Sequence, residues 1–283
     1  MTLQRSTFTS PVDGLELASY AWDVAEPRGV VQVAHGLAEH SARYDRFARA
    51  LNDAGYSVHA CDHRAHGQSI VGTPGDFGDP GFDALIADLA AFGASLQGDL
   101  PVFLFAHSMG SFAAQSVILT ASEQYAGVVL SGSTALDLLA AGMAQSEGPA
   151  GLEAFNAGFE NRTGYEWLSR DEAEVDLYVA DPLCGFDLPD ETVPALFGAA
   201  ATLADPAALA AIRPDLPLLI ASGSDDPLAG GGQLVEVLGQ RYRDAGLVDV
   251  TVTLYQGARH EILNETNRDE VTADVISWLD AHR

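Results

Sequence analysis

Apolar positions fall along this chain in two alternating rhythms. Short apolar runs at 30–34, 56–61, 102–105, 127–131 and 217–221 have the length of buried strands, and 250–255 alternates like a half-buried one. Stretches at 45–54, 82–96, 109–120, 233–245 and 268–281 carry helical spacing instead. Strands that alternate with helices predict an α/β fold built on a doubly wound, mostly parallel sheet. The segments 7–10 and 16–22 are expected to form an antiparallel hairpin at its edge. From Ser131 to Leu218 the chain runs far too long for one crossover helix. We therefore expect a helical cap over 135–213, inserted between core segments 1–134 and 214–283. Leu138, Leu139, Met143, Leu152, Phe155, Phe159, Leu196 and Phe197 recur in it at helix-like intervals.

Candidate chemistry sits at the C-terminal ends of the predicted strands. Ser108 follows the apolar run at 102–105 and precedes a helix-like stretch, with Ala106 two residues before it and Gly110 two after. Small residues at those places let a strand and a helix approach closely around a strained turn, as in the nucleophile elbow of the α/β-hydrolase fold. The strict pattern has glycine at both, so Ala106 is a departure of one methyl group. On that fold an acid and then a histidine follow the serine in sequence. The serine needs an imidazole to take its proton, and the imidazole needs a carboxylate to fix its tautomer. The loop after 217–221 offers Asp225 and Asp226, and the loop after 250–255 offers His260. Asp226, three residues past Gly223 where related enzymes of that fold carry the acid, is favoured, and Pro227 helps fix its turn; Asp225 is the first alternative and Asp137 the second. The amide of Met109 and an amide from the loop after 30–34, assigned to Leu37, are expected to form the oxyanion hole. His35, beside a glycine turn, is expected to brace that loop.

Five motifs in order carry a resemblance: His35-Gly36 through Glu39-His40-Ser41-Ala42-Arg43-Tyr44, then Asp62-His63-Arg64-Ala65-His66-Gly67-Gln68-Ser69, the elbow, Gly223 to Asp226, and Gly257 to His260. Together they resemble the monoacylglycerol lipase and lysophospholipase group of α/β-hydrolases, often labelled serine aminopeptidase-like. The resemblance implies a triad of Ser108, Asp226 and His260, oxyanion amides of Leu37 and Met109, and Glu39 and Arg43 near the alcohol end of the pocket. Ala106 and Ala65 stand where the group usually carries glycine. The resemblance also makes 62–69 a structural loop, although its histidines, aspartate and serine could suggest a metal site. An acyl chain would need the apolar cap residues as its lining. The expected function is hydrolysis of carboxylic esters of single-chain lipids, with a short-chain esterase or a proline-type aminopeptidase as alternatives. An aminopeptidase needs an acidic pocket for a free amine, which Glu153, Glu160 or Asp176 could supply.

Composition narrows the partners. Against 40 acidic residues stand 14 basic ones, all arginine, for a net charge of -26. Such a charge excludes nucleic acid as a partner and disfavours docking to anionic membranes. No apolar run approaches the ~18 residues of a membrane span, and the first six residues lack the apolar stretch of a leader. Cys61 and Cys184, far apart, fit a reduced cytoplasmic protein. The expectation is a small lipid ester as substrate, no cofactor, no metal and no stable membrane insertion, with the oligomeric state left open.

Overall fold

The computed structural model describes residues 3–145 and 152–283. Eight strands form one sheet: β1 (Gln4–Thr9), β2 (Glu16–Trp22), β3 (Gly29–Ala34), β4 (Tyr56–Cys61), β5 (Val102–His107), β6 (Gly127–Ser131), β7 (Leu218–Gly223) and β8 (Val250–Tyr255). Their order across the sheet is β1-β2-β4-β3-β5-β6-β7-β8. The first two are antiparallel, as the hairpin expectation had it, and every pairing from β4 to β8 is parallel.

Five helices cover the sheet: α1 (Asp45–Asp53), α2 (Phe82–Ser95), α3 (Met109–Ala121) and, near the C-terminus, α9 (Gln233–Asp244) and α10 (Arg268–Ala281). Alternate residues of β5 point to opposite faces. Phe103 and Phe105 pack with Phe47 and Leu51 of α1 and Val271 and Val275 of α10. Leu104 and Ala106 pack with Leu85 of α2, Val117 of α3 and Leu238 of α9. All these side chains are buried. A strand covered on both faces must be apolar throughout, which is why 102–105 reads as a continuous run. Burying each large side chain contributes ~1.5–3 kcal/mol.

Between β6 and β7 the chain forms α4 (Leu136–Gln145), α5 (Glu172–Ala180), α6 (Thr192–Phe197), α7 (Ala200–Leu203) and α8 (Pro206–Leu209). Leu152–Asn156 and Glu166–Leu168 are 3-10 turns rather than α-helices. Parallel register aligns Ala34 with Ala106, His107 with Ser131, and Gly223 with Tyr255. The loops leaving β3, β5, β7 and β8 therefore emerge along one edge, beneath the inserted helices. Among the described residues no helix is long and apolar enough to cross a membrane.

Candidate active site

The turn from β5 into α3 is bent at Ser108, whose φ of 51° and ψ of -122° lie in a region that L residues rarely occupy. Such a conformation costs on the order of 1–3 kcal/mol and persists only where its surroundings over-determine it. They do so here: the Ser108 amide donates to the Ser131 carbonyl at 2.9 Å, and the Ser108 carbonyl accepts from the Ser111 amide at 2.8 Å and the Ser111 hydroxyl at 2.6 Å. A Cβ on Gly110 would lie 2.5 Å from the His35 carbonyl oxygen and 2.6 Å from that of Ala34. Glycine is required there because α3 starts against β3. Ala106 is fully buried in the core, where its methyl group is accommodated.

His260 and Asp226 meet from the loops after β8 and β7. His260 Nδ1 lies 2.9 Å from Asp226 Oδ2, and both side chains are buried. The Leu228 amide donates to Asp226 Oδ1 at 2.9 Å and the Ser222 hydroxyl to Oδ2 at 3.2 Å, so the carboxylate is oriented on both oxygens. Asp225 is exposed and accepts only from Ser224, and Asp137 is engaged by Arg241 through two bonds. Burial opposes charging of His260, but the Asp226 carboxylate outweighs it and holds the imidazole above the ordinary histidine pKa. The His260 ring lies between those of His107 and Trp167, at 4.7 and 4.8 Å. Burial, with the facing His260 imidazole adding to it, pushes His107 down to about 4.

Leu37 and Met109 both border the cavity that holds Ser108 and His260, and neither amide donates to a carbonyl or side chain of the described residues. His35 braces the Leu37 loop: its Nδ1 meets the Gly36 carbonyl at 2.8 Å and its Nε2 accepts the His63 amide at 2.9 Å. Glu39 Oε1 accepts from the Gly36 amide at 2.5 Å and from the Tyr44 hydroxyl at 2.9 Å. Arg43 bonds Glu39 Oε2 at 2.7 Å and both oxygens of Glu261 at 2.6 and 2.7 Å. Burial would raise the Glu261 pKa, but Arg43 holds it at about 2. Glu39 borders the cavity that holds Ser108, whereas Arg43 lies behind it beside a smaller recess. Nothing in the sequence around His260 singles out Glu261. Its arginine partner lies 218 positions away, so no local pattern could reveal the pair.

The cavity, open to solvent at its mouth, spans about 690 Å³ and is predominantly apolar. Six of the eight apolar residues that spacing singles out within 135–213 line it: Leu139, Met143, Leu152, Phe155, Leu196 and Phe197. Leu138 instead faces solvent, and Phe159 lies under the Arg259 guanidinium at 4.5 Å. Glu153, Glu160 and Asp176 are all absent from the lining; Glu153 borders a separate depression and Asp176 pairs with Arg162 at 2.5 Å. The 62–69 loop is stitched by Asp62, which accepts from the Ser41 amide, the Gln68 amide and the Tyr20 hydroxyl at 2.8, 2.8 and 2.9 Å. Three donor types suited to a metal do converge elsewhere, His40, Asp181 and Cys184, within 4.8 Å of one another. Two of them form a pair, His40 Nε2 to Asp181 Oδ2 at 2.9 Å.

A strained serine at a strand-to-helix turn, with an acid and a histidine on the following strand ends, defines an α/β-hydrolase. The chain belongs to the family described as serine aminopeptidase, S33, which it matches over residues 25–267. It is 32% identical to the monoacylglycerol lipase of Mycolicibacterium smegmatis, over 96% of this chain and 95% of the relative. Identity to the monoglyceride lipase of Homo sapiens is also 32%, over 93% and 85%. A crystal structure of a thermostable carboxyl esterase from Bacillus coagulans in complex with glycerol superposes with a TM-score of 0.85 at 28% identity, covering 100% of this chain and 99% of that one.

Proposed function

We propose that the protein is a serine ester hydrolase that cleaves monoacylglycerols, and lysophospholipids of similar shape, through an acyl-enzyme. One observation carries this: Ser108, on a strained turn, and His260, held by Asp226, share an apolar cavity with a polar end at Glu39. With Nδ1 committed to Asp226, Nε2 of His260 is left to take the Ser108 proton. Oγ then bonds to the ester carbonyl carbon while the amides of Leu37 and Met109 stabilise the oxyanion. Collapse breaks the acyl–oxygen bond, and the imidazolium returns its proton to the leaving alcohol. Water, deprotonated by the same nitrogen, then bonds to the acyl carbon; the acyl–Oγ bond breaks, the imidazolium returns the proton to Ser108, and the fatty acid leaves. The segment 135–213 serves as the cap that houses the acyl chain, and Glu39, with Arg43 behind it, forms the polar wall at the alcohol end.

Relatives named as monoacylglycerol lipases over nearly the full chain support the substrate class. The family's aminopeptidase description finds less support, because each acidic residue offered for an amine pocket lies outside the cavity. The test compares monoacylglycerols and p-nitrophenyl esters of graded acyl length with an aminoacyl-nitroanilide. Burying an acyl chain contributes ~0.8 kcal/mol per CH₂, so kcat/KM should climb with length until the cavity is full and then fall. A profile that falls steadily from acetate upward identifies a short-chain esterase, and preferential cleavage of the anilide identifies a peptidase.

A further inference from the structure

The two halves of the proposed machinery, the His260 loop and the Leu37 loop, leave the sheet from strands β8 and β3. Proton transfer and oxyanion binding both need their groups held within a fraction of an ångström, so something must fix one loop against the other. Glu261 directly follows His260 and is itself fixed by its amide to the Leu168 carbonyl at 2.8 Å and by Asn264 Nδ2 at 2.8 Å. Its carboxylate takes both terminal nitrogens of Arg43, a fork that lysine cannot reproduce. Arg43 passes the connection to Glu39, which holds the Gly36 amide, and its guanidinium lies 4.9 Å over the ring of Tyr178. The Tyr178 hydroxyl donates to the Ala38 carbonyl at 2.9 Å. Leu37 is thus anchored on both sides by groups that converge on Arg43.

We propose that Glu261 and Arg43 are positioning residues that clamp the His260 loop to the oxyanion loop, and that Arg43 acts through this clamp rather than by touching the substrate alcohol. The side chains are well sequestered, with Arg43, Glu39 and Glu261 exposed by 12%, 4% and 7%. Both terminal nitrogens of Arg43 are already engaged, and the arginine lies outside the lining of the cavity that holds Ser108.

This inference rests on the serine hydrolase reading, and its test separates the two. Wild type, E261Q, R43M and R43K are compared on a monoacylglycerol and a p-nitrophenyl ester with the same acyl chain, and for the rate at which a small fluorophosphonate labels Ser108. The clamp predicts that kcat on both esters and the labelling rate fall together in E261Q and R43M by ~10- to 100-fold, with KM unchanged. R43K should fall between them and wild type. Asp226 bonds the His260 ring and the His107 ring lies beside it, while Glu261 and Glu39 act on it through their charge. Loss of the Glu261 charge therefore moves the acidic limb of kcat/KM to lower pH, which a purely structural role would not do. Should R43M fail to fold, E261Q, which keeps the size of the side chain, decides. Wild-type labelling and turnover in E261Q overturn the clamp, as does an unmoved acidic limb. A rise in KM for the glyceryl ester alone in R43M overturns it by placing the arginine on the alcohol. If wild type labels but leaves the glyceryl ester intact, the substrate reading fails while the variant ratios still test the clamp. If wild type does not label, both fall.

Discussion

The two walls of the cavity are built on opposite physical principles. On one side the segment 166–185 is stitched to the loops beneath it by directional bonds. The Trp167 and Leu168 carbonyls accept the His260 and Glu261 amides at 3.3 and 2.8 Å, and Arg170 pairs with Glu265 at 2.8 Å. Arg259 donates to the Glu166 and Ser169 carbonyls at 2.6 and 3.0 Å. The Gly185 amide meets the Ala38 carbonyl at 3.0 Å. On the other side Leu139, Met143, Phe155, Leu196 and Phe197 reach the cavity as apolar side chains. Hydrogen bonds fix angles and distances, which reacting groups need; dispersion and hydrophobic contact fix volume, which an acyl chain senses. Variants at the stitched wall should therefore change rate for every ester, and variants at the apolar wall should change which ester is preferred.

The largest effect is expected at the reacting groups that the stitched wall adjoins. Ser108→Ala should lower kcat on the order of 10⁶-fold at all acyl lengths, and abolish fluorophosphonate labelling. Asp226→Asn should cost roughly 10⁴-fold by reversing the His260 tautomer, whereas Asp225→Asn, on an exposed side chain, should be mild. Steady-state kinetics on one activated ester rank all three, and the reverse order of the two aspartates would move the acid by one position. Activity should require neutral His260, so kcat/KM should rise with pH through a pKa above the ordinary histidine value.

A second expectation concerns the buried imidazoles beneath the Leu37 loop. Burial pushes His63 down to about 3 and His66 and His107 down to about 4. Each is neutral when folded and gains a proton more readily when unfolded. Their contribution to stability is complete above pH 6.5 and disappears as pH falls toward 4, a loss of several kcal/mol. Denaturant midpoints across that window should drop steeply. A flat profile would show that these sites open to water before the rest unfolds.

Phe197→Ala enlarges the apolar wall and should move the chain-length optimum of kcat/KM toward longer esters, with discrimination of ~10-fold between neighbours at the optimum. Met143→Trp should move it the other way. A uniform loss across the series would erase the distinction between the walls.

How much of this was legible in the sequence follows the same division. The six strands read from apolar runs appear at their predicted places, and the helix predicted at 268–281 has those bounds. Ser108, Asp226 and His260 could be ordered because each sits where a periodic segment breaks into turn residues; between the two neighbouring aspartates the place three residues past Gly223, which the resemblance marks, together with Pro227, favoured the one that the structure buries. The stitched wall was not legible. Its bonds run from backbone carbonyls at 167 and 168, which carry no residue code, and Glu261 finds Arg43 across 218 positions. The apolar wall was half legible, because hydrophobic spacing identifies buried residues without saying which of them border empty space; Leu138 and Phe159 carried the same signal as Leu139 and Phe155.

The smallest expected effect lies outside both walls, in the 62–69 loop. Ala65, where the related group usually has glycine, is buried and adopts a φ of 62°, so its methyl group bears a left-handed conformation. An L side chain there costs roughly 1–2 kcal/mol, and glycine recovers this at an entropic cost of roughly 0.5–1 kcal/mol in the unfolded chain. Ala65→Gly should therefore raise unfolding free energy by a few tenths to about 1 kcal/mol, read as a small upward shift in Tm. Its kcat and chain-length profile should match wild type, because the Ala65 carbonyl bonds the Gly75 amide at 2.9 Å through backbone that glycine retains. A lower Tm would mean that the Ala65 methyl packs more favourably than its backbone is strained. A changed kcat would extend the stitched wall down to the 62–69 loop.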